Sequence, residues 1–295
     1  MRNLSLRLIV WFIGVPGIVA IVIFLPFANH LALNILVVVV SGLGATELAA
    51  LFSRKDPHYR SNVVLVPLLG AAIPLAQLLT TTFNLSESIP YTVLAGAAGI
   101  ILFIQVFRRT AEDFHHTLAN IAANLTILLY PGLFLSYLIR LNEFEFSSVL
   151  ILTYLCAVMG NDSMAYTAGG LYRVIRQRRA TSRGGEWIPK HVFAVSPKKT
   201  IVGFAGGFVM SPVIVIIANT LFPDAIPGDW PTAILVGSVV GLATIVGDLI
   251  ESAIKRSTTS KDSGELIPGR GGILDSVDSV LYAVPLFYYL LHYIV

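Results

Sequence analysis

The sequence predicts an all-α, polytopic integral membrane protein of about nine transmembrane helices, with a cytoplasmic N-terminus and the C-terminus on the far side. Three observations carry this prediction. The chain is 55% apolar and only 13% charged, whereas a soluble domain carries about 25% charged residues. Its mean hydropathy is +0.77, and it lacks the charge to cover a water-facing surface. The apolar residues fall in runs of roughly 20, the length that crosses a bilayer as a helix. The basic residues fall almost entirely in every second connection.

The runs lie near residues 8–27, 31–52, 62–80, 90–107, 117–138, 147–166, 200–221, 232–254 and 276–295. The first follows Arg2 and Arg7, as a signal-peptide core follows its basic start. It is too long for such a core of about 7–15 residues, and no Ala-x-Ala site follows, so it reads as a retained helix. Pro16, Pro67 and Pro74 fall inside runs, where membrane helices tolerate proline. With the N-terminus inside, the cytoplasmic connections are 53–61, 108–116, 167–199 and 255–275. Together with the N-terminal arm they hold every Lys and Arg except Arg140, a strong positive-inside bias. The outer loops carry Glu87, Glu143, Glu145, Asp224 and Asp229 instead. No repeat, low-complexity tract or linker divides the chain. Residues 1–295 therefore read as one membrane domain, 1–146 being N-terminal helices and 147–295 helices with the longer cytoplasmic loops.

Composition also excludes classes. The single cysteine, Cys156, rules out an internal disulfide and a cysteine metal site. A net charge of +3 is small; it suits an anionic lipid surface and predicts no nucleic-acid partner. The segment "RVIRQRRATSRGG" within 171–199 reads as a solvated basic stretch beside such lipid.

The polar residues of the second half collect at one membrane face. "GNDSMAY" (160–166) ends the sixth run, "SPKKT" (196–200) opens the seventh, "GDLIESAIKRS" (247–257) ends the eighth, and "ILDSVDS" (273–279) opens the ninth. At about 100° per residue, Asp248, Glu251, Ser252 and Lys255 share one stripe of a helix. An acid at mid-bilayer costs roughly 2.5–3.5 kcal/mol, and less near a helix end. Either the two acids pair with Lys255 and Arg256 as a helix-end ion network, or they serve a site. Asp275 and Asp278 repeat the i, i+3 spacing at a helix start, where they also suit capping. Carboxylates from two successive helices form a hard-oxygen pocket, with Asp248, Asp275, Asp278 and Glu251 as candidate ligands. Such a pocket suits Mg²⁺, with room for a second cation, and no His or Cys pattern supports zinc.

The intervening loop supplies Lys255, Arg256, Lys261, Gly264, Gly269, Arg270, Gly271 and Gly272, and "SPKKT" adds Ser196, Lys198, Lys199 and Thr200 at a helix N-terminus. Glycines admit close backbone N–H groups, and lysine and arginine bring charge, so both segments suit phosphate. No Walker A pattern is present. A metal pocket beside phosphate-binding groups points to phosphoryl or nucleotidyl transfer at the membrane surface. Glu47, a lone acid of the second run, reads as snorkelling or as a structural hydrogen bond, and His115 and His116 read as loop residues.

Residues 252–278 resemble the signature of the phosphatidate cytidylyltransferases (CDP-diacylglycerol synthases). That pattern is S-x-hydrophobic-K-R-x4-K-D-x-small-x2-hydrophobic-P-x-H-G-G-hydrophobic-x-D-R-hydrophobic-D. Ser252, Lys255, Arg256, Lys261, Asp262, Gly264, Pro268, Gly271, Gly272, Asp275 and Asp278 stand in register with it. "DSMAY…GG" (Asp162, Ser163, Ala165, Tyr166, Gly169) and "SPKKT…G…GG" (through Gly203, Gly206 and Gly207) are also similar to family members, so the resemblance covers roughly 160–290. Three positions depart from the pattern: Arg270 replaces its histidine, Ser276 its arginine, and Val202 the glutamate after "KKT-x".

The resemblance implies CTP + phosphatidate → CDP-diacylglycerol + pyrophosphate, in a bacterial inner membrane with the site facing the cytoplasm, and a homodimer. It implies catalytic roles for Asp248, Asp275, Lys255, Lys261 and Asp278. Substrate-binding roles fall to Ser196, Lys198, Lys199, Thr200, Ser252, Arg256, Asp262, Arg270, Gly271, Gly272 and Asp162. A CTP-dependent lipid or polyprenol kinase could use a similar pocket but transfers the γ-phosphate. A secondary transporter would need acids near mid-bilayer and a path to the far side.

Overall fold

The computed structural model describes the chain except residues 1, 57–58, 60–63, 108–113, 184, 187–191, 198, 227 and 295, and except the side chains of residues 2–12. The described residues form helices and connecting loops, with one isolated bridge between Ile267 and Gly271. The helices are α1 (Arg2–Phe24), α2 (Phe27–Lys55), α3 (Leu65–Phe83) and α4 (Ser88–Ile104), the last extended by a 3-10 turn over Gln105–Phe107. Next comes α5 (Thr117–Ile127), which continues through a π-helical stretch, Leu128–Phe134, into α6 (Leu135–Arg140). Then follow α7 (Ser147–Thr181), α8 (Ile201–Leu221), α9 (Trp230–Ser257) and α10 (Leu274–Ile294). Among the described residues eight of these rods are long and apolar enough to cross a membrane, the α5–α6 rod counting as one. The protein is thus an all-α polytopic membrane protein.

Each predicted run contains a helix, and two differ in form. The fifth rod is interrupted at Leu128–Phe134 because Pro131 has no N–H to give the helical ladder. The sixth does not end near 166 but continues to Thr181. Its extension carries four arginines, good helix formers that need no apolar face. "GNDSMAY" therefore lies in mid-helix, and much of the basic stretch is helical rather than loop.

The chain divides into two compact units. One holds residues 1–148 and 254–277, and the other holds 149–253 and 278–295. In the first unit α2 packs along α3 and the π stretch. Small residues allow the approach: a methyl on Gly44 would lie 3.5 Å from Pro131 Cβ, and one on Gly132 would lie 3.2 Å from the Gly70 carbonyl. The buried Ser41 hydroxyl reaches the carbonyls of Gly70 (2.6 Å) and Pro131 (2.5 Å). Ser41, Gly44 and Glu47 follow one another at i, i+3, so the stripe that packs α2 inward also carries Glu47 inward.

In the second unit α7 and α8 approach through glycines. A methyl on Gly203 would lie 2.8 Å from the Ala165 carbonyl, and one on Gly207 would lie 2.6 Å from Asn161 Oδ1. Asn161 is 1% exposed and donates to Ser211 Oγ and to the Gly241 carbonyl, both at 3.1 Å, which ties α7 to α8 and α9. Tyr154 stacks on Phe287 and donates to the Val280 carbonyl at 2.5 Å, which ties α7 to α10.

Candidate active site

In the first unit the polar loop after α9 is folded by local chemistry. Ile267-Pro268-Gly269-Arg270 turns tightly: proline fixes the first central residue and Gly269, at φ +79°, supplies the second. The turn is closed by the Arg270 N–H to the Ile267 carbonyl at 3.1 Å, and Ile267 and Gly271 exchange backbone bonds at 2.8 and 3.0 Å. Gly271 has φ +117°, a conformation that disfavours any side chain. The loop then enters α10 with its first amides buried.

Two carboxylates organise that entry. Glu47, from α2, accepts the N–H of Ile273 (2.8 Å) and of Leu274 (3.0 Å), and its Oε2 lies 2.9 Å from Ser263 Oγ. Asp275 Oδ2 accepts the N–H of Ser263 (2.8 Å) and of Gly272 (2.7 Å) and lies 2.9 Å from the same Ser263 Oγ. Asp275 Oδ1 accepts from Lys255 Nζ at 2.6 Å. Sequence reasoning offers capping as a role for Asp275; the α10 amides of Ile273 and Leu274 are in fact held by Glu47. Carboxylate at a helix N-terminus is favoured by the dipole as well as by the hydrogen bonds. The glycines at 264 and 272 leave room for it: a methyl on Gly264 would lie 2.7 Å from Glu47 Oε1, and one on Gly272 would collide with Glu47 and Ser263 Oγ.

The second unit holds the other acids. Asp248 of α9 is ion-paired with Lys199, which also lies over the Phe204 ring at 5.6 Å. Lys199 precedes α8, whose N-cap Thr200 accepts the Gly203 N–H at 3.1 Å. The adjoining residue of α9, Gly247, marks the crossing with α10, where a methyl would lie 2.8 Å from the Asp278 carbonyl and 2.9 Å from Tyr282 Cβ. Asp278 Oδ1 accepts the N–H of Ser279 at 2.7 Å, and Ser279 Oγ donates to Asp162 Oδ1 of α7 at 3.3 Å. Asp162, Asp248 and Asp278 thus come from three helices that pack within this unit.

Lys255 and Asp275 are paired in the first unit, with Gly271 and Gly272 beside them. Lys261, Asp262 and Arg270 are exposed on the same loop. Arg256 is exposed and donates to the Ser260 carbonyl at 3.2 Å. In the second unit Asp248 pairs with Lys199 rather than in the helix-end network with Lys255 and Arg256. Glu251 is buried on α9, Ser252 is half-buried, and Ser196 accepts the Lys199 N–H at 3.2 Å through its carbonyl. Lys198 lies outside the described residues. His116, read as a loop residue, contacts the Asp56 carboxylate at 3.2 Å. Glu47, read as snorkelling or as a structural hydrogen bond, makes such hydrogen bonds, and its partners lie too far along the chain for the sequence to name them.

The donor set suits a hard divalent cation in kind, being carboxylate and hydroxyl oxygen. Among the described residues no three His, Cys, Asp or Glu side chains form a ready metal group. Asp275 and Asp248 are each held by a lysine, whose charge takes the place a cation would share.

Comparison with known proteins agrees with the signature. The profile of a family described as the cytidylyltransferase family matches residues 5–294. The phosphatidate cytidylyltransferase of Bacillus subtilis is 27% identical over 278 residues, 93% of this chain and 95% of that protein. The phosphatidate cytidylyltransferase of Staphylococcus haemolyticus is 32% identical over 244 residues, 78% of this chain and 90% of that protein. The uncharacterized protein YnbB of Escherichia coli is 30% identical over 258 residues, 86% of this chain and 77% of that protein. Matched along nearly its whole length, and carrying the paired lysines and aspartates described above, this chain belongs to the cytidylyltransferase family.

Proposed function

We propose that the protein is a phosphatidate cytidylyltransferase, which joins CTP and phosphatidate to form CDP-diacylglycerol and release pyrophosphate. The observation that carries the reading is the signature loop, whose backbone N–H groups, Ser263 and Lys255 converge on Asp275. A lipid phosphate oxygen attacks the α-phosphorus of CTP, and the bond from that phosphorus to the pyrophosphate oxygen breaks. The nucleophile is already ionised at neutral pH, so the reaction needs no strong general base, in keeping with a site built from carboxylates and cations. Its difficulty is the repulsion of two anions. Lys199, Lys255, Lys261, Arg256 and Arg270 bind the triphosphate and headgroup, and Ser196 and Ser252 donate to phosphate oxygens. Asp248 and Asp275 are the carboxylates that would hold Mg²⁺, with Asp278 and Glu251 as further ligand candidates and Asp162 in support through Ser279. Bound there, the cation would screen the two anions and stabilise charge on the leaving pyrophosphate.

The distribution of Lys and Arg supports a cytoplasmic N-terminus and a cytoplasmic site, and bacterial relatives support the plasma (inner) membrane. The homodimer is carried by the family resemblance alone. Arg270 supplies the cation that Ser276 does not. Purified protein in phosphatidate-containing vesicles, given Mg²⁺ and CTP labelled at the α- or γ-phosphorus, tests the reading. Label in the lipid from α-CTP with release of pyrophosphate is expected. Label from γ-CTP would instead make it a lipid kinase.

A further inference from the structure

We propose that Glu47 is a positioning residue for the transfer reaction, acting through residues 263–274 on Asp275. The proposal rests on the reading of Asp275 as part of the metal and triphosphate site. Glu47 lies 216 residues from Ser263 in sequence, yet three donors from that loop converge on its carboxylate: the Ile273 and Leu274 amides and the Ser263 hydroxyl. It is 9% exposed, in the interior of α2 rather than at its tip, so snorkelling does not account for it.

The link to the reacting end runs through Ser263. Its hydroxyl lies 2.9 Å from Glu47 Oε2 and 2.9 Å from Asp275 Oδ2. One hydroxyl proton serves only one of these oxygens at a time, so the serine couples the two carboxylates. Oδ2 of Asp275 is further held by two loop amides, which leaves Oδ1 as the oxygen aimed at Lys255. Glu47 fixes the first amides of α10 and, through Ser263, the rotation of Asp275 about its own side chain. It therefore sets where Oδ1 points. Gly264 and Gly272 have no room for a side chain because the Glu47 carboxylate fills that space. All three donors need acceptors, and a carboxylate offers two acceptor oxygens. Glutamine has the same shape but turns an NH₂ toward one of the donors.

A purely structural cap would alter stability and leave the cation dependence alone. Glu47→Gln and Ser263→Ala are compared with the wild type in two ways. Hydrogen exchange reads the Ile273 and Leu274 amides; kinetics read kcat, the Mg²⁺ concentration for half-maximal rate, and KM for phosphatidate. For Glu47→Gln we expect faster exchange at whichever of the two amides faces the new NH₂. We also expect a kcat about 10–100-fold lower and a Mg²⁺ requirement raised by a similar factor, the usual effect of losing an outer-shell partner of a metal ligand, with KM for phosphatidate unchanged. Ser263→Ala is expected to raise the Mg²⁺ requirement less and to leave both amides protected, since Glu47 keeps its backbone bonds. Unchanged exchange in Glu47→Gln, or faster exchange with normal kcat and Mg²⁺ dependence, overturns the proposal. If Glu47→Gln does not fold, Ser263→Ala decides it: a raised Mg²⁺ requirement supports positioning, and unaltered kinetics overturns it. A wild type that makes no CDP-diacylglycerol sinks the reaction reading instead, and exchange alone then decides whether Glu47 holds the loop.

Discussion

Asp275 and Asp248 carry the same functional group on successive helices, and the protein holds them in opposite ways. Asp275 sits in a cage of backbone amides, a serine and a lysine, with its side chain 7% exposed. Asp248 faces one lysine and is 28% exposed. The first arrangement is the more constrained, because two of its four donors are main-chain amides. The second rests on a side-chain ion pair with Lys199, which also lies over the Phe204 ring. Under the proposed function, Asp275 is the more firmly fixed of the two acids and Asp248, with Lys199, the more open one.

The largest effects are expected at the two acids. Asp275→Asn and Asp248→Asn should each lower turnover by about 100-fold or more, as losing a preorganised charge at a reacting phosphate does. Their stabilities should part: proteolysis of the 258–273 loop should quicken in Asp275→Asn and not in Asp248→Asn. Equal loop protection in both would break the contrast. Gly272→Ala comes next, since its methyl collides with Glu47 and Ser263; we expect about 1–3 kcal/mol lost in denaturation, with reduced activity. Lys199→Ala should weaken CTP binding roughly tenfold, the loss of one charge-assisted hydrogen bond, with under about 1 kcal/mol of stability change because the pair is partly exposed. Thr200→Val removes the α8 cap bond and should lower stability by about 1 kcal/mol. A large stability loss in Lys199→Ala would show that pair to be structural and undo the distinction.

Much of this was legible in the sequence, because bilayer length and positive-inside bias act on the chain locally. The run near 200–221 and helix Ile201–Leu221 nearly coincide. The 252–278 signature pointed to Lys255 and Asp275, which the fold joins at 2.6 Å. The extension of α7 to Thr181 is not legible from apolar-run length, because four arginines follow Tyr166. The partner of Asp248 was missed because i, i+4 reasoning looks along one helix, and Lys199 comes from another segment. The role of Glu47 depends on a contact across 216 residues, which no local pattern encodes. Its one trace was an acid on the inward stripe with Ser41 and Gly44.

The central claim is that Asp275, as held by its loop, is indispensable to nucleotidyl transfer. The most direct test is transfer of label from α-labelled CTP to phosphatidate by Asp275→Asn, purified and shown by thermal melting to be folded. A folded protein with no label in lipid above background is expected; transfer near the wild-type rate would remove Asp275 from the reaction.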